Sequence, residues 1–244
     1  MLSEPGLLLA IGLALVHAFL SEWNLFSFLP EHRWISFSGG VSIGYIFLEV
    51  FPELSHAQLE VEHSRIPLVI YLESHVYLIA LFGLLVFYGL DILALSSRRQ
   101  NWESSQIDCT SPEIFWIHVT GFACLNIVFG YLIQDIREHS WLDCALFFTT
   151  VSLHFFIIDR HLRHHHKVLY DQVGRWVLTA AILVGAIVGQ ALHLEEAIVA
   201  AVWSFLAGSL ILNILGHELP DEHRSCFWSF LAGTVLYSGL ILAT

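Results

Sequence analysis

Long apolar stretches alternate with short polar segments along this chain. A bilayer core about 30 Å thick needs roughly 20 mainly apolar residues in a helix, so each stretch predicts a membrane-spanning helix. The pattern predicts eight spans, at Pro5–Trp23, Trp34–Leu54, Pro67–Leu95, Pro112–Ile133, Trp141–Leu162, Val173–Leu192, Ala197–Leu215 and Cys226–Ala243. Strands are not favoured, because an open sheet leaves unpaired edges in lipid. The predicted fold class is all-α, with a single eight-helix transmembrane domain over residues 1–244.

The composition agrees with this pattern and excludes other classes of protein. Apolar residues make up 56% of the 244 residues, charged residues 13%, and the mean hydropathy is +0.68, whereas soluble domains are about 25% charged. We therefore predict a multi-pass protein of the plasma or inner membrane, with the lipid bilayer as its partner. The net charge of -12 argues against nucleic acid, because a polyanion binds to a basic surface. The four cysteines lack CxxC spacing and are assigned no role.

The basic residues predict the orientation of the chain. With the N-terminus outside, eight of the ten Lys and Arg residues fall in inner loops, and only Arg65 and Arg137 fall in outer loops. The positive-inside rule favours this arrangement. Both termini are therefore predicted to lie outside, and the basic segment Arg160–Lys167 in the cytoplasm. The N-terminus lacks a positively charged n-region, which favours a spanning helix over a cleaved signal peptide.

Two segments share a pattern that predicts an internal repeat. Gly40–Glu53 reads GVSIGYIFLEVFPE, and Gly208–Glu222 reads GSLILNILGHELPDE. In each segment a proline follows the glycine by twelve positions, and an acidic residue follows the proline. The predicted topology makes the two copies run in opposite directions. Inverted repeats of this kind are typical of secondary transporters.

Ionisable and strongly polar side chains inside the predicted spans are the candidates for chemistry. At membrane depth such groups are costly and tend to face the bundle interior or a water-filled cavity. They are His17, Glu49, Glu73, His75, His118, Asn126, His154, Asp159, Gln190, Asn213 and His217. Asn126 and His154 lie near the centres of adjacent spans, where an amide oxygen and a neutral imidazole can bind a metal ion. The alternative is that each one hydrogen-bonds a neighbouring helix.

Topology and two short motifs together point to a known family. Eight spans, outside termini, FLEVFPE at the end of the second span and ILGHELPDE at the end of the seventh resemble the ZIP family of divalent metal transporters. In that family, the second and seventh helices often end in a Leu-Pro-Glu pattern. The resemblance covers nearly the whole chain in topology. It implies ZIP-like inverted repeats, alternating access and a divalent metal ion such as zinc as the substrate, with no required cofactor.

The resemblance also implies a metal site. The family's fourth and fifth helices carry HNxxDG and HExxHE patterns, which fall here on residues 125–130 and 154–159. The implied transport site comprises Asn126, His154 and Asp159, and Glu49, His217 and Glu218 are candidate accessory ligands that could substitute for missing ones. Four expected ligand positions instead hold Leu125, Phe129, Phe155 and Ile158. The implied site is therefore incomplete, since a dehydrated divalent ion needs anionic ligands to offset its desolvation.

A histidine-rich segment follows the fifth span. It contains His161, His164, His165 and His166, beside three basic residues. Because His161 and His165 are one helical turn apart, these histidines are a candidate cluster for metal capture in the cytoplasm. An interfacial anchor, in which cationic and amphipathic side chains hold the helix end at the headgroups, is an equal alternative. Residues 53–63, rich in Glu and His, are predicted to form an outer loop.

The predicted function is a ZIP-like divalent metal transporter and not an enzyme. Two alternatives stay open. One is a non-transporting membrane protein of the same fold that senses, scaffolds or carries another solute. The other is a histidine-rich membrane enzyme, since HxxHH at residues 161–165 also occurs in membrane di-iron enzymes, although no second histidine box is present. A homo-oligomer is compatible with the sequence.

Overall fold

The architecture is that of a computed structural model, which describes residues 4–19, 30–63, 76–133, 141–219 and 225–243. Within these ranges all regular secondary structure is helical, which confirms the all-α fold class. The α-helices are α1 (Glu4–Phe19), α2 (Glu31–Tyr45), α3 (Phe51–His63), α4 (Val76–Ser105), α5 (Pro112–Leu132), α6 (Trp141–His166), α7 (Arg175–Ala191), α8 (Glu196–Asn213) and α9 (Phe227–Ile241). The described residues also include π-helical turns at Ile46–Val50, Tyr170–Gly174 and Ile214–Glu218.

The described residues of the eight predicted spans are helical except for Leu192, Cys226, Leu242 and Ala243, which lie at span ends. Five described helices are long and apolar enough to cross a membrane: His32–Leu59, Val76–Ser105, Pro112–Leu132, Tyr170–Ala191 and Glu196–Gly216. Helices α1 and α9 are apolar but shorter. The chain thus has the helices of a multi-pass membrane protein. Eight crossings, and termini on the outside, stay predictions.

Several helices continue beyond the predicted limits of the membrane. The prediction of an outer loop at residues 53–63 is wrong, because α3 extends to His63. Helix α4 continues to Ser105 and α6 to His166. Extending an existing helix by one residue gains one hydrogen bond and fixes the backbone of only that residue, so it costs far less free energy than starting a new helix. Hydropathy marks the edge of the apolar region, and the helix does not have to end there.

The two repeat segments share one local feature, although α-helix follows it in the first copy and an extended residue, Leu219, in the second. A π-helical turn begins six residues after the glycine in both, at Ile46 after Gly40 and at Ile214 after Gly208. In the first copy, Pro52 follows the turn. Proline has no N–H and its ring clashes with the carbonyl four residues earlier, and a widened turn relieves that clash. The similarity therefore extends from the sequence to an uncommon backbone feature.

The chain divides into two compact units. One, called here the α1/α5 unit, spans Met1–Trp23 and Phe87–His193, and it contains α1, most of α4, α5, α6 and α7. The other, the α2/α8 unit, spans Asn24–Val86 and Leu194–Thr244. In the α2/α8 unit, α2 packs on α9 and α3 packs on α8.

Glycines allow the closest helix approaches within the α1/α5 unit. A Cβ atom added at Gly130 of α5 would lie 2.2 Å from the carbonyl oxygen of Ile182 in α7, and one added at Gly185 would lie 2.0 Å from the carbonyl oxygen of Ile127. The two backbones are therefore in direct contact at this crossing, an arrangement typical of membrane helices. The contact holds α5 in place and with it Asn126.

Candidate metal centre

Three metal-ligating side chains meet inside the α1/α5 unit. Asp91 comes from α4, His118 from α5 and His161 from α6, and one ligand atom from each lies within 4.8 Å of the other two. The carboxylate oxygen Oδ1 of Asp91 lies 3.3 Å from His118 Nε2 and 3.2 Å from His161 Nε2. We call these three residues the Asp91 cluster.

The two distances from Asp91 Oδ1 to the imidazole nitrogens are compatible with a tetrahedral ion. Zinc bonds of about 2.0–2.1 Å at tetrahedral angles place neighbouring ligand atoms about 3.3 Å apart. Asp91 and His118 are buried, with 7% and 1% of their surface exposed. A buried carboxylate in an apolar helix is costly unless it is paired or binds a metal. Two imidazoles and one carboxylate supply both the anionic charge and the nitrogen donors that zinc-type ions prefer.

His165 lies beside the Asp91 cluster but is not one of the residues whose ligand atoms lie within 4.8 Å of one another. It lies one helical turn after His161, with the two ring centroids 4.7 Å apart, and its ring centroid is 6.3 Å from that of His118. Within the described residues, His165 Nδ1 and His118 Nε2 are both buried nitrogens without a hydrogen-bond partner. His118 Nε2 still has the Asp91 carboxylate 3.3 Å away, whereas His165 Nδ1 is a buried polar atom of the kind that is seldom left unpaired.

A hydrogen-bonded chain behind the cluster orients His118. His166 Nε2 lies 2.9 Å from His118 Nδ1, and His166 Nδ1 lies 2.5 Å from Thr110 Oγ1. If His118 Nδ1 carries the proton and donates it to His166, the Nε2 lone pair of His118 points towards Asp91 and is free to bind a metal. Partners of this kind fix the tautomer of a metal-binding histidine.

Burial keeps the inner histidines neutral. Desolvation, followed by the charges of nearby histidines, lowers the pKa of His165 and of His166 to about 3. Metal binding requires the neutral imidazole, since a proton on the ligand nitrogen blocks the bond. Near neutral pH, both side chains are therefore in the form that binds a metal or accepts a hydrogen bond.

The segment that joins α4 to α5 packs against the histidine-rich end of α6. Thr110 N–H donates to the His165 carbonyl at 3.1 Å. Asp108 accepts hydrogen bonds from the Arg98 guanidinium, and from Lys167 Nζ at 2.7 Å. These two cations hold the pKa of the Asp108 carboxyl well below its usual range. The same guanidinium lies 2.9 Å from the ring of His164, which is exposed and lies outside the Asp91 cluster.

The implied transport site has a different environment. Asn126 and Asp159 do converge, but on the imidazole of His17: His17 Nε2 lies 2.8 Å from Asn126 Oδ1, and His17 Nδ1 lies 2.7 Å from Asp159 Oδ1. The Tyr170 hydroxyl also donates to Asp159. We call these four residues the His17 network. The third predicted ligand, His154, is buried, with its ring centroid 6.3 Å from those of Phe129 and Phe155.

Of the three accessory ligands, the structure describes the side chain of Glu49. Glu49 lies in the α2/α8 unit and accepts a hydrogen bond from the Tyr237 hydroxyl. His217 and Glu218 lie in the π-helical turn that follows α8, and their side chains lie outside the described residues. The candidates Glu73 and His75 also lie outside them.

Two residues of the Asp91 cluster are candidates from the sequence alone. His161 belongs to the histidine-rich segment proposed for metal capture or anchoring, and His118 is among the polar residues of the spans. Asp91 was missed, although it is an acidic residue inside an apolar helix, which is the signal that the other candidates share. None of the protein-family models, characterised proteins or solved structures compared with the chain matches it.

Proposed function

We propose that this protein is a membrane transporter for a divalent transition-metal ion of the zinc type, and that the ion binds at the Asp91 cluster. The observation that carries the proposal is the meeting of a carboxylate and two imidazoles from three helices, at separations that suit a tetrahedral ion. The proposal follows the ZIP resemblance in substrate and mechanism. It differs in the position of the site.

The chemistry of the ligands supports a borderline or soft divalent ion. Nitrogen donors outnumber oxygen donors in the cluster, which disfavours Mg²⁺ and Ca²⁺, because these ions prefer oxygen ligands. One carboxylate offsets half of the ion's charge, so the bound ion is less firmly held than it would be between two acids. Three protein ligands leave a coordination position for water or for His165. Such a site can release its ion, as transport requires.

The position of the cluster supports a role at the inner mouth. His161 belongs to the end of α6 that the basic residues predict to lie in the cytoplasm. The proposal therefore treats the Asp91 cluster as the site from which the ion leaves to the cytoplasm, or at which it first binds from there. Alternating access needs a part that moves as a whole, and the α1/α5 unit that holds the cluster is compact by itself.

A metal-binding protein that does not transport is the second candidate. This candidate is favoured because aromatic side chains fill the implied transport site. Phe155 stacks on His17 with the ring centroids 4.3 Å apart, and the ring centroids of Phe129 and Phe155 are 5.5 Å apart. An ion released from the Asp91 cluster would then have no second site along this path. Such a protein would sense or store the ion at one face of the membrane.

Zinc flux into proteoliposomes tests the proposal. Purified protein is reconstituted with a zinc-sensitive dye inside the vesicles, and the initial rate is compared with that of protein-free vesicles. Wild-type protein is expected to carry zinc, and Asp91→Asn is expected to lower the rate at least tenfold. The matched control is His193→Gln, since His193 is exposed in the segment between α7 and α8.

The outcomes separate the two candidates. Flux that is lost in Asp91→Asn and kept in His193→Gln supports transport through the cluster. Zinc binding to the purified protein without flux of zinc, iron, manganese or cadmium supports the non-transporting candidate. Flux that is unchanged in Asp91→Asn contradicts the assignment of the site.

A further inference from the structure

A short non-helical segment lies across the ends of the helices that carry the Asp91 cluster. It consists of residues 106–111, between α4 and α5, and we call it the strap. The strap joins two of the helices that supply the cluster and contacts the third, α6, through the hydrogen bond from the Thr110 amide to the His165 carbonyl. All three helix ends that it connects belong to the α1/α5 unit.

The strap covers one side of the cluster. His165 and His166 end α6, beyond the apolar part of that helix, yet each is only 2% exposed. Thr110 is the buried residue of the strap, and its hydroxyl lies 2.5 Å from His166 Nδ1. The other ring nitrogen of His166 lies 2.9 Å from His118 Nδ1. Thr110 thus separates these rings from the predicted cytoplasmic side.

Polar contacts hold the strap in this position. The Arg98 guanidinium of α4 donates to both carboxylate oxygens of Asp108. Lys167, which follows α6, donates to the same carboxylate at 2.7 Å. Asn101 Nδ2 donates to the Cys109 carbonyl at 2.9 Å. Asp108 therefore ties the strap to α4 and α6 at once.

Little buried apolar surface stabilises the strap. Its one large apolar side chain, Ile107, is 52% exposed. The ion pair between Asp108 and Lys167 is also partly exposed, with 41% and 44% of the two side chains accessible. A segment that is held by exposed polar contacts and few apolar ones opens locally at a small free-energy cost. We therefore expect the strap to open more readily than the helices that it joins.

We propose that the strap is a gate between the Asp91 cluster and the cytoplasm, kept closed by the ion pairs of Asp108. When the strap lifts, Thr110 leaves His166 and the histidines at the end of α6 become accessible to an ion. When it closes, the same histidines are buried again. The gate rests on the proposed function, because it needs an ion at the Asp91 cluster.

A gate changes how fast an ion enters and leaves, and not how tightly the ligands hold it. The Asp108 carboxylate contacts Arg98 and Lys167 and none of the three ligands of the cluster. A change at Asp108 that leaves the strap closed most of the time should therefore raise the association and dissociation rates of zinc by the same factor. The dissociation constant, which is their ratio, should stay constant.

Zinc kinetics in Asp108→Asn test the gate. Full-length protein is purified in detergent, association is followed by stopped flow with a zinc-sensitive dye, and dissociation is followed after addition of excess chelator. We expect both rates to rise about fivefold, the factor that corresponds to the stronger exposed ion pairs. The matched control is Glu103→Gln, which removes the exposed ion pair between Arg99 and Glu103 on α4 and should leave both rates unchanged.

Amide hydrogen exchange measures the opening of the strap without metal. The Thr110 amide is protected while it donates to the His165 carbonyl, and the Ser111 amide while it donates to Ser97 Oγ. In zinc-free protein, peptides that contain the strap should exchange faster in Asp108→Asn than in the wild type. Peptides from the middle of α5 should exchange equally in both proteins, which also shows that the variant is folded.

The outcomes separate the gate from the proposed function. Zinc rates that Asp108→Asn leaves unchanged overturn the gate, and so does strap exchange that it leaves unchanged. A faster dissociation with an unchanged association rate also overturns it, since the strap would then hold the ligands in place. A wild type that binds no zinc refutes the proposed function and the gate with it, whereas zinc binding with unchanged rates refutes the gate alone.

Discussion

The close contact between α5 and α7 makes a quantitative prediction for Gly185→Ala. The added methyl group would lie 2.0 Å from the Ile127 carbonyl oxygen, whereas ordinary contacts begin at 3.4 Å, so the helices would have to separate by about 1.4 Å. The obstacle is backbone and cannot rotate away. Overpacking of this kind costs about 1–3 kcal/mol. Ile127 is next to Asn126, so the same movement should also loosen the His17 network.

Gly89→Ala is the matched control for this prediction. An added Cβ at Gly89, inside α4, meets nothing within 4 Å, and alanine is favoured over glycine in a helix by about 0.5–1 kcal/mol. Thermal unfolding in detergent should therefore show a lower midpoint for Gly185→Ala and an equal or higher one for Gly89→Ala. Equal midpoints for the two variants would refute the argument from helix contact.

Three other changes have expected outcomes. His166→Ala should weaken zinc binding about 10–100-fold, because it removes the partner that orients His118. Competition with a chelator measures the zinc affinity. His164→Ala, at an exposed histidine, is the control and should leave the affinity nearly unchanged. Asp108→Asn should lower the stability of the fold near neutral pH, and the loss should be smaller in high salt. Because the pKa of Asp108 is depressed in the folded state, the carboxylate stabilises the fold fully above about pH 4 and ceases to do so in stronger acid. The unfolding midpoints of wild type and variant should therefore converge in strong acid. A cysteine at Ser105 should react with a membrane-impermeant reagent only from the cytoplasmic side. Labelling only from the outside would show that the topology is the reverse of the predicted one.

Much of the helical architecture could be predicted from hydropathy. In lipid, a chain has to satisfy its backbone hydrogen bonds internally, so a long apolar stretch is helical almost without regard to its neighbours. That reasoning located α5 and α8 nearly at their observed ends. It could not locate the ends of α3, α4 or α6, because these helices continue into polar sequence.

The contacts between helices could not be predicted in the same way. Asp91 and His118 meet because of how α4 and α5 are rotated about their axes, and hydropathy does not determine that rotation. The pairing of Asn126 with His154 was inferred from their depth in adjacent helices. The structure places the imidazole of His17 between Asn126 and Asp159, and no sequence pattern relates α1 to these residues.

X-ray absorption at the zinc edge of the loaded, purified protein would show directly which atoms bind the ion. We expect zinc to be coordinated by nitrogen and oxygen atoms only, with scattering from at least two imidazoles, and stoichiometric zinc to be lost in both Asp91→Asn and His161→Ala. Zinc coordinated by cysteine sulfur, or a spectrum and a stoichiometry that both variants leave unchanged, would contradict this expectation.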